Sequence, residues 1–412
     1  MAKTLIVRVL FVICAVFLLS SCTSTNNSIQ STTSGTISNL NWQSYSFSAP
    51  KNTSLFGIKC FTKMDCIAVG ASNLSNNTYS TTATYKPIAF YSTTGGISWK
   101  QSTLHLNSSI STGILSAVDC YLTLCIVVGG SDPAGSGVPI VMVSSDNGKN
   151  FSNVNITSVT NGAYNSVFCL GNTDTNDGSQ CLLGGQSGTS SSTSSLIDSF
   201  NLKSQVITAV SLPTLTNSFV SSITCTKDQK CIALGGYYNS SQNVASDIFE
   251  STDNGQTFSM EKISSLPSSL LFTACTQNQC YLAGAAQTKA NALGTPIGYP
   301  ALFEISKNST SPPKTAITDK GGQGLMTGVF CFYSQNNKLP DCLATGGYGT
   351  SKSSKSVLAT FTNNKWQTSL VNIPNISLYS ITCDASAPYC LAVGNKAPTS
   401  TKSIPQVIKL TP

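Results

Sequence analysis

The sequence predicts an all-β fold of seven four-stranded antiparallel sheets set round an axis, and three observations predict it. First, once Cys14 and Cys22 are set aside, the remaining fourteen of the sixteen cysteines fall into seven short-range pairs: Cys60/Cys66, Cys120/Cys125, Cys169/Cys181, Cys225/Cys231, Cys275/Cys280, Cys331/Cys342 and Cys383/Cys390. Second, the later member of each pair recurs on average every 54 residues. Third, the same residue types return round every pair. Two residues before the first Cys stands a β-branched residue: Ile58, Val118, Val167, Ile223, Thr273, Val329 or Ile381. Directly after the second stands Ile67, Ile126, Leu182, Ile232, Tyr281, Leu343 or Leu391, and four residues after it is always glycine (70, 129, 185, 235, 284, 346, 394). Four strands of about six residues with their loops fill a unit of this size, which is one blade of a β-propeller.

Within a unit, the pattern reads as a strand ending in Cys, a short turn, and a strand opening with Cys. A second pair of strands follows, as at Ser246–Ser251 and Thr257–Ile263. After Cys390 only two more strands fit, near Leu391–Gly394 and Ile404–Leu410, while a surplus strand at about Trp42–Ser48 precedes the first unit. Pairing that surplus strand into the last blade closes the ring and removes two exposed sheet edges.

Each cysteine pair brackets one turn, where a cross-strand Cα separation of about 4.5–5.5 Å suits a disulfide. By chain-entropy reckoning such clips contribute up to roughly 2–3 kcal/mol each. Metal binding fits less well: no Cys-x-x-Cys occurs, His105 is the only histidine, and one pair per blade spreads the sulfurs round a ring.

Ahead of the repeats, Lys3 and Arg8 flank the n-region of an export signal, and Val9 to Leu19 is almost unbroken apolar, too short to span a bilayer of ~30 Å. Leu19-Ser20-Ser21-Cys22 resembles the bacterial lipobox, which implies a signal peptide over 1–21 and acylation of Cys22. Of the eighteen residues Thr23 to Leu40, thirteen are Ser, Thr or Asn and none is charged, so 22–40 is expected to be a flexible tether with the propeller over 41–412.

Ser144-Ser145-Asp146-Asn147-Gly148-Lys149-Asn150-Phe151 and Ser251-Thr252-Asp253-Asn254-Gly255-Gln256-Thr257-Phe258 resemble the Asp-box, or BNR, motif, and Ser92-Thr93-Thr94-Gly95-Gly96-Ile97-Ser98-Trp99 is a degenerate copy without the Asp. The whole unit is similar to the sialidase-like propellers, in particular the seven-bladed photosystem II assembly-factor type. The resemblance implies a tight hairpin between third and fourth strands, an Asp capping backbone amides, a glycine in a left-handed turn and an aromatic packed between blades.

The composition restricts the chemistry. Charged residues make up 9%, and without Lys3 and Arg8 the chain has 21 lysines, no arginine and 16 acids, a diffuse charge of +5 that does not suit nucleic acid. Sialidases of this superfamily grip a carboxylate with arginines, a planar fork that lysine does not reproduce, so typical sialidase chemistry is excluded. A glycosidase needs two facing carboxylates. The only glutamates, Glu250, Glu261 and Glu304, fall at blade edges, which leaves a pair among Asp119, Asp132, Asp247 and Asp319 as the remaining source. His105 lies in an outer-strand setting, no Gly-x-Ser-x-Gly elbow exists, and no nucleotide or cofactor motif appears.

For binding, the sequence points to the end of the ring away from the cysteines. There Ala71–Lys86, Tyr237–Ala245, Ala286–Tyr299 and Tyr348–Lys355 read as long polar loops carrying Tyr79, Tyr85, Tyr237, Tyr238, Tyr299 and Tyr348. Tyr with Ser, Asn and Gly is a mixture that binding loops favour. The expectation is a monomeric, lipid-anchored bacterial envelope protein, on the outer membrane and facing the periplasm or the surface. Its propeller is a non-catalytic binding or assembly platform for a protein or glycan, without metal or cofactor. A surface adhesin or host-directed factor and an atypical glycan hydrolase are the alternatives.

Overall fold

The computed structural model describes residues 34–37, 40–73, 85–108, 110–131, 137–156, 159–171, 179–189, 192–213, 215–226, 228–238, 244–261, 268–276, 279–290, 296–306, 314–318, 323–331, 342–350, 353–362, 365–371, 373, 375–383, 389–399 and 402–412. Each unit opens with the strand that the cysteine pattern predicts: Ser54–Cys60, Ile114–Tyr121, Gly162–Cys169, Ser218–Cys225, Ser268–Cys275, Gly324–Cys331 and Ile376–Cys383. Only the second runs one residue past its Cys. Each pairs antiparallel with a second strand, which pairs with a third, which pairs with a fourth. The seven first strands touch one another in cyclic order, the last returning to the first. The protein is a seven-bladed β-propeller.

Closure follows the three-plus-one scheme. Leu40–Ser46 pairs antiparallel with Lys402–Thr411, with Trp42 opposite Leu410, and is the outer strand of the seventh blade. The strand starts two residues earlier than the sequence suggests. Ser34–Ile37, inside the stretch read as tether, adds a fifth strand outside it, and Leu40 is buried, so the ordered body begins before Asn41. Cys22 and the rest of 1–33 lie outside the described residues. A fifth strand also completes the second blade: after a two-residue outer strand at Lys100–Gln101, the chain crosses over, and Thr103–His105 pairs in parallel with Asn150–Asn153.

All seven cysteine pairs are disulfides: Cys60–Cys66, Cys120–Cys125, Cys169–Cys181, Cys225–Cys231, Cys275–Cys280, Cys331–Cys342 and Cys383–Cys390. One expectation needs correction. The bonded Cα atoms lie 3.8 to 4.2 Å apart, nearer than the cross-strand spacing of about 4.5–5.5 Å. The reason is the register: in every blade the two cysteines stand directly opposite each other, and the bond draws the strand ends together.

The repeated glycine has a structural cause. Each first strand has a β-bulge, and the residue just before it (Leu55, Leu115, Tyr164, Val220, Leu270, Met326, Leu378) stands opposite that glycine. There the first strand leans onto its neighbour: a Cβ on Gly129 would lie 1.9 Å from the carbonyl oxygen of Ile114. The apolar residue after each second Cys is the contact to the following blade. Ile67 packs with Val118 and Phe151, Leu182 with Ile223 and Phe258, and Leu391 with Leu55 and Phe90, the last across the closure.

The three hairpins with box-like sequences join third to fourth strands. In the second blade, Asp146 accepts from the Ser144 hydroxyl at 2.8 Å and from the Asn150 amide at 2.9 Å, and Phe151 is fully buried. Asn147 and Gly148 both have positive φ, and a Cβ on Gly148 would meet Ile67 of the previous blade at 2.5 Å. Asp253 repeats the arrangement with Ser251, Gln256 and Thr257. In the first blade a hydroxyl replaces the carboxylate: Thr94 accepts from the Ser98 amide at 2.8 Å, and Trp99 is buried.

Candidate functional site

The first strands converge on the axis, and at their cysteine ends they enclose a cavity of about 500 Å³. Every blade contributes, and it does so with the repeated β-branched position: Ile58, Val118, Val167, Ile223, Thr273, Val329 and Ile381 all line it. The sequence displayed this position seven times, yet strand periodicity alone does not say which residues face the axis. The next position adds Lys59, Asp119, Phe168, Thr224, Ala274, Phe330 and Thr382, so the wall is mostly aliphatic and aromatic.

In four of the seven blades the two halves of the disulfide differ in their relation to this cavity. The first-strand members Cys169, Cys225, Cys275 and Cys331 line it, which places disulfides directly in the wall. The second-strand members Cys66, Cys125, Cys181, Cys231, Cys280, Cys342 and Cys390 do not line it. They stand one strand farther from the axis and are buried within the blades, so they brace the site from behind and are no part of its surface.

An ion pair interrupts the apolar surface. Lys59 and Asp119 form an ion pair at 2.6 Å, the carboxylate side chain only 7% exposed. Asp119 also accepts from the amides of Cys120 at 2.8 Å and Cys169 at 2.7 Å, so both its oxygens are occupied. The hydroxyls of Thr273 and Thr382 are buried without a hydrogen-bond partner.

The tyrosines expected to form a binding face are not brought together. Tyr85 is buried, and Tyr348 is buried between the fifth and sixth blades with Met326 and Val357. Tyr299 is half-buried and Tyr237 exposed. Tyr79 and the side chain of Tyr238 lie outside the described residues. Where they are described, the segments read as loops are mostly strand, since second strands extend through Tyr238, Ala290 and Thr350. Their Ala, Gly, Ser and Thr content hid a ladder held by backbone hydrogen bonds.

The carboxylates are dispersed. Glu250 pairs with Lys230 at 3.3 Å, Glu304 lies on a third strand opposite Lys314, and Asp132, Asp319 and the Glu261 side chain lie outside the described residues. Asp119 and Asp247 belong to different blades, and burial pushes Asp247 up to about 6. Between the second and third blades, burial raises the fully buried Asp198, and the Tyr164 hydroxyl, which donates to it, pulls it partly back. His105 is exposed on its outer strand. Among the described residues, no three His, Cys, Asp or Glu side chains are grouped to hold a metal, and no helix is long and apolar enough to cross a membrane.

The cysteine end also exposes apolar turn tips. Leu122 is 70% exposed, and Met64 and Ile97 are each 52% exposed on the adjoining first blade. The Met64 turn and the Ile97 hairpin meet through the Gly95 amide, which donates to the Met64 carbonyl at 2.9 Å. Leu122 has φ of 54° at the first central position of the two-residue turn between Tyr121 and Leu124. That position favours glycine. Among the described non-glycine residues with positive φ, the others are all Asn or Gln.

The sequence matches no known family profile and no curated protein. Among solved structures, the chain is similar to an ulvan lyase of polysaccharide lyase family 25, free and saccharide-bound. The TM-scores are 0.53 and 0.54 at 9% and 10% identity, over 86% of this chain and 94% of that one. It is also similar to Sqt1 of Chaetomium thermophilum bound to the N-terminus of ribosomal protein L10, with a TM-score of 0.50 at 9% identity over 89% of this chain and 98% of that one. These likenesses define the class, a seven-bladed propeller; at such identities what they share is the fold.

Proposed function

We propose that the protein is a non-catalytic binding platform of a bacterial envelope, anchored through an acylated Cys22, and that it docks a protein partner on the cysteine end of the ring. Leu122 carries this reading. A leucine in the left-handed region costs about 1–2 kcal/mol, and at 70% exposure it recovers little of that by burial. Such strain with an aliphatic tip turned to solvent is what a docking contact retains. Met64 and Ile97 are further exposed apolar tips at the same end of the ring. Aliphatic tips suit a protein better than a glycan, so the platform reading moves from the tyrosine-bearing end to the cysteine end.

The strand directions fit this orientation. Ser34–Ile37 runs toward the cysteine end, so the chain before it arrives from the opposite end. A coil of the length of residues 23–33 reaches roughly 20 Å, which holds the loop end toward the membrane and leaves the cysteine end facing away.

A photo-crosslinker placed at Ile97 in the native host tests the reading. It is expected to yield a discrete protein adduct that Leu122→Gly removes while the ring stays as stable as before or more so. No adduct, an adduct indifferent to Leu122→Gly, or cleavage of envelope polysaccharide by the purified chain would overturn it.

A further inference from the structure

We infer that the axial cavity at the cysteine end is a binding site for a small, neutral, predominantly apolar ligand. This goes beyond the platform reading and does not depend on it, since it concerns the ring centre rather than the turn tips.

Size is the first argument. A volume of about 500 Å³ lies within the range of small-molecule pockets. Persistence is the second. Disulfides form part of the wall, and the first strands are held by their neighbours on both sides, so the space cannot collapse onto itself. A pre-formed site requires little ordering when a ligand enters.

The wall then selects the ligand. Val167, Ile223, Val329 and Ile381 with Phe168 and Phe330 offer dispersion contacts and few partners for water. Lys59 and Asp119 neutralise each other, and Asp119 is further engaged by two amides, so neither a cation nor an anion finds a counter-charge. The hydroxyls of Thr273 and Thr382 do not change this, because their oxygens are buried behind the wall and are not open to the cavity. A polyhydroxylated sugar would bring more polar groups than this wall can satisfy.

N-phenyl-1-naphthylamine, a neutral fluorophore with one N–H donor, is a suitable probe for the full chain. Saturable one-to-one binding with enhanced emission is expected. Val329→Phe, which grows a half-buried wall residue into the space, is expected to weaken binding about tenfold or more. Naphthalene, which has no hydrogen-bonding group, is expected to displace the probe, and Thr273→Val with Thr382→Val, which removes only hydroxyls buried behind the wall, is expected to leave stability intact or raised and probe binding unchanged. Absence of saturable binding, undiminished binding by a folded Val329→Phe protein, or failure of naphthalene to displace the probe would each overturn the inference. Partner capture at Ile97 is measured separately, so either proposal can fail alone.

Discussion

The Lys59 ammonium of the first blade stands 2.6 Å from the Asp119 carboxylate of the second, and Asp119 reaches on to the backbone amide of Cys169 in the third. One carboxylate thus ties three blades together at the cavity wall. The two partners are not equivalent. Asp119→Ala strands two buried amides and an ammonium and is expected to cost about 2–3 kcal/mol. Lys59, with its side chain 31% exposed, leaves Asp119 still hydrogen-bonded to both amides when replaced by Ala, so that change is expected to cost about 1 kcal/mol or less. Urea denaturation of both variants checks the asymmetry; equal losses would contradict it.

Burial pushes Asp247 up to about 6, and one of its oxygens lacks a partner. For an acid whose folded pKa is raised, the folded state holds the proton more tightly than the unfolded state. Its contribution is therefore fully present below about 4, the ordinary aspartate value, and is lost as the pH rises toward 6. Asp198 acts in the same direction. Asp247→Asn is expected to flatten the decline in stability between about pH 4 and 6 and to raise Tm at neutral pH, measured by thermal unfolding across that range.

How far the fold was legible follows from the repeat. Seven copies of β-branched residue, Cys, Cys, apolar residue and glycine average out the ambiguity of any one strand. Ile67, Leu182 and Leu391 read as core because each must fill the gap to the next blade. What the repeat could not reveal is non-repeated or axial. Ser34–Ile37 occurs once, in polar sequence without a repeat to mark it, and the outer-strand setting of His105 did not reveal that Thr103–His105 crosses over to pair in parallel with the second blade. Tyr348 sits among Ser, Gly and Lys and reads as a loop residue, but its ring is buried between two blades. The cavity was hidden for a different reason: Val167 and Val329 are ordinary strand residues in the sequence, and only the closed ring turns them toward one another. The same holds for a disulfide such as Cys225–Cys231, where nothing in the spacing tells which residue lines the cavity and which lies in the blade behind it.

The first-blade hairpin offers a gain-of-stability test. Thr94 accepts from the Ser98 amide with a neutral oxygen and shares a hydrogen bond with the Ser98 hydroxyl. In the second-blade hairpin, partial burial raises Asp146, but hydrogen bonds from Asn150, Ser144 and the Lys149 amide outweigh it and hold the carboxyl below its usual range. A lowered acid contributes above its unfolded pKa and loses that contribution as the pH falls through the folded value. Thr94→Asp is expected to add about 0.5–1 kcal/mol at pH 7, a gain that disappears on acidification below about pH 4. A gain unaffected by pH, or none, would show that the hydroxyl already serves the turn as well as a carboxylate.

Ring closure rests on Trp42, 5% exposed and packed on Leu343 and Leu358 of the sixth blade and Ile408 and Leu410 of the seventh. It lies on the strand that joins the two ends of the chain, and Phe47 just beyond stacks on Trp99 of the first blade with ring centroids 5.8 Å apart. Trp42→Ala is expected to cost about 3–5 kcal/mol and, because it loosens the strand covering Lys402–Thr411, to open that edge to proteolysis in native buffer. Trp366, an indole on an outer strand against Tyr281 and Phe361, is only half-buried, so Trp366→Ala is expected to cost less and to leave protease resistance unchanged. Urea midpoints and limited proteolysis separate the two. If Trp42→Ala were no more harmful than Trp366→Ala, the N-terminal strand would be an ornament on a ring already closed by its first strands.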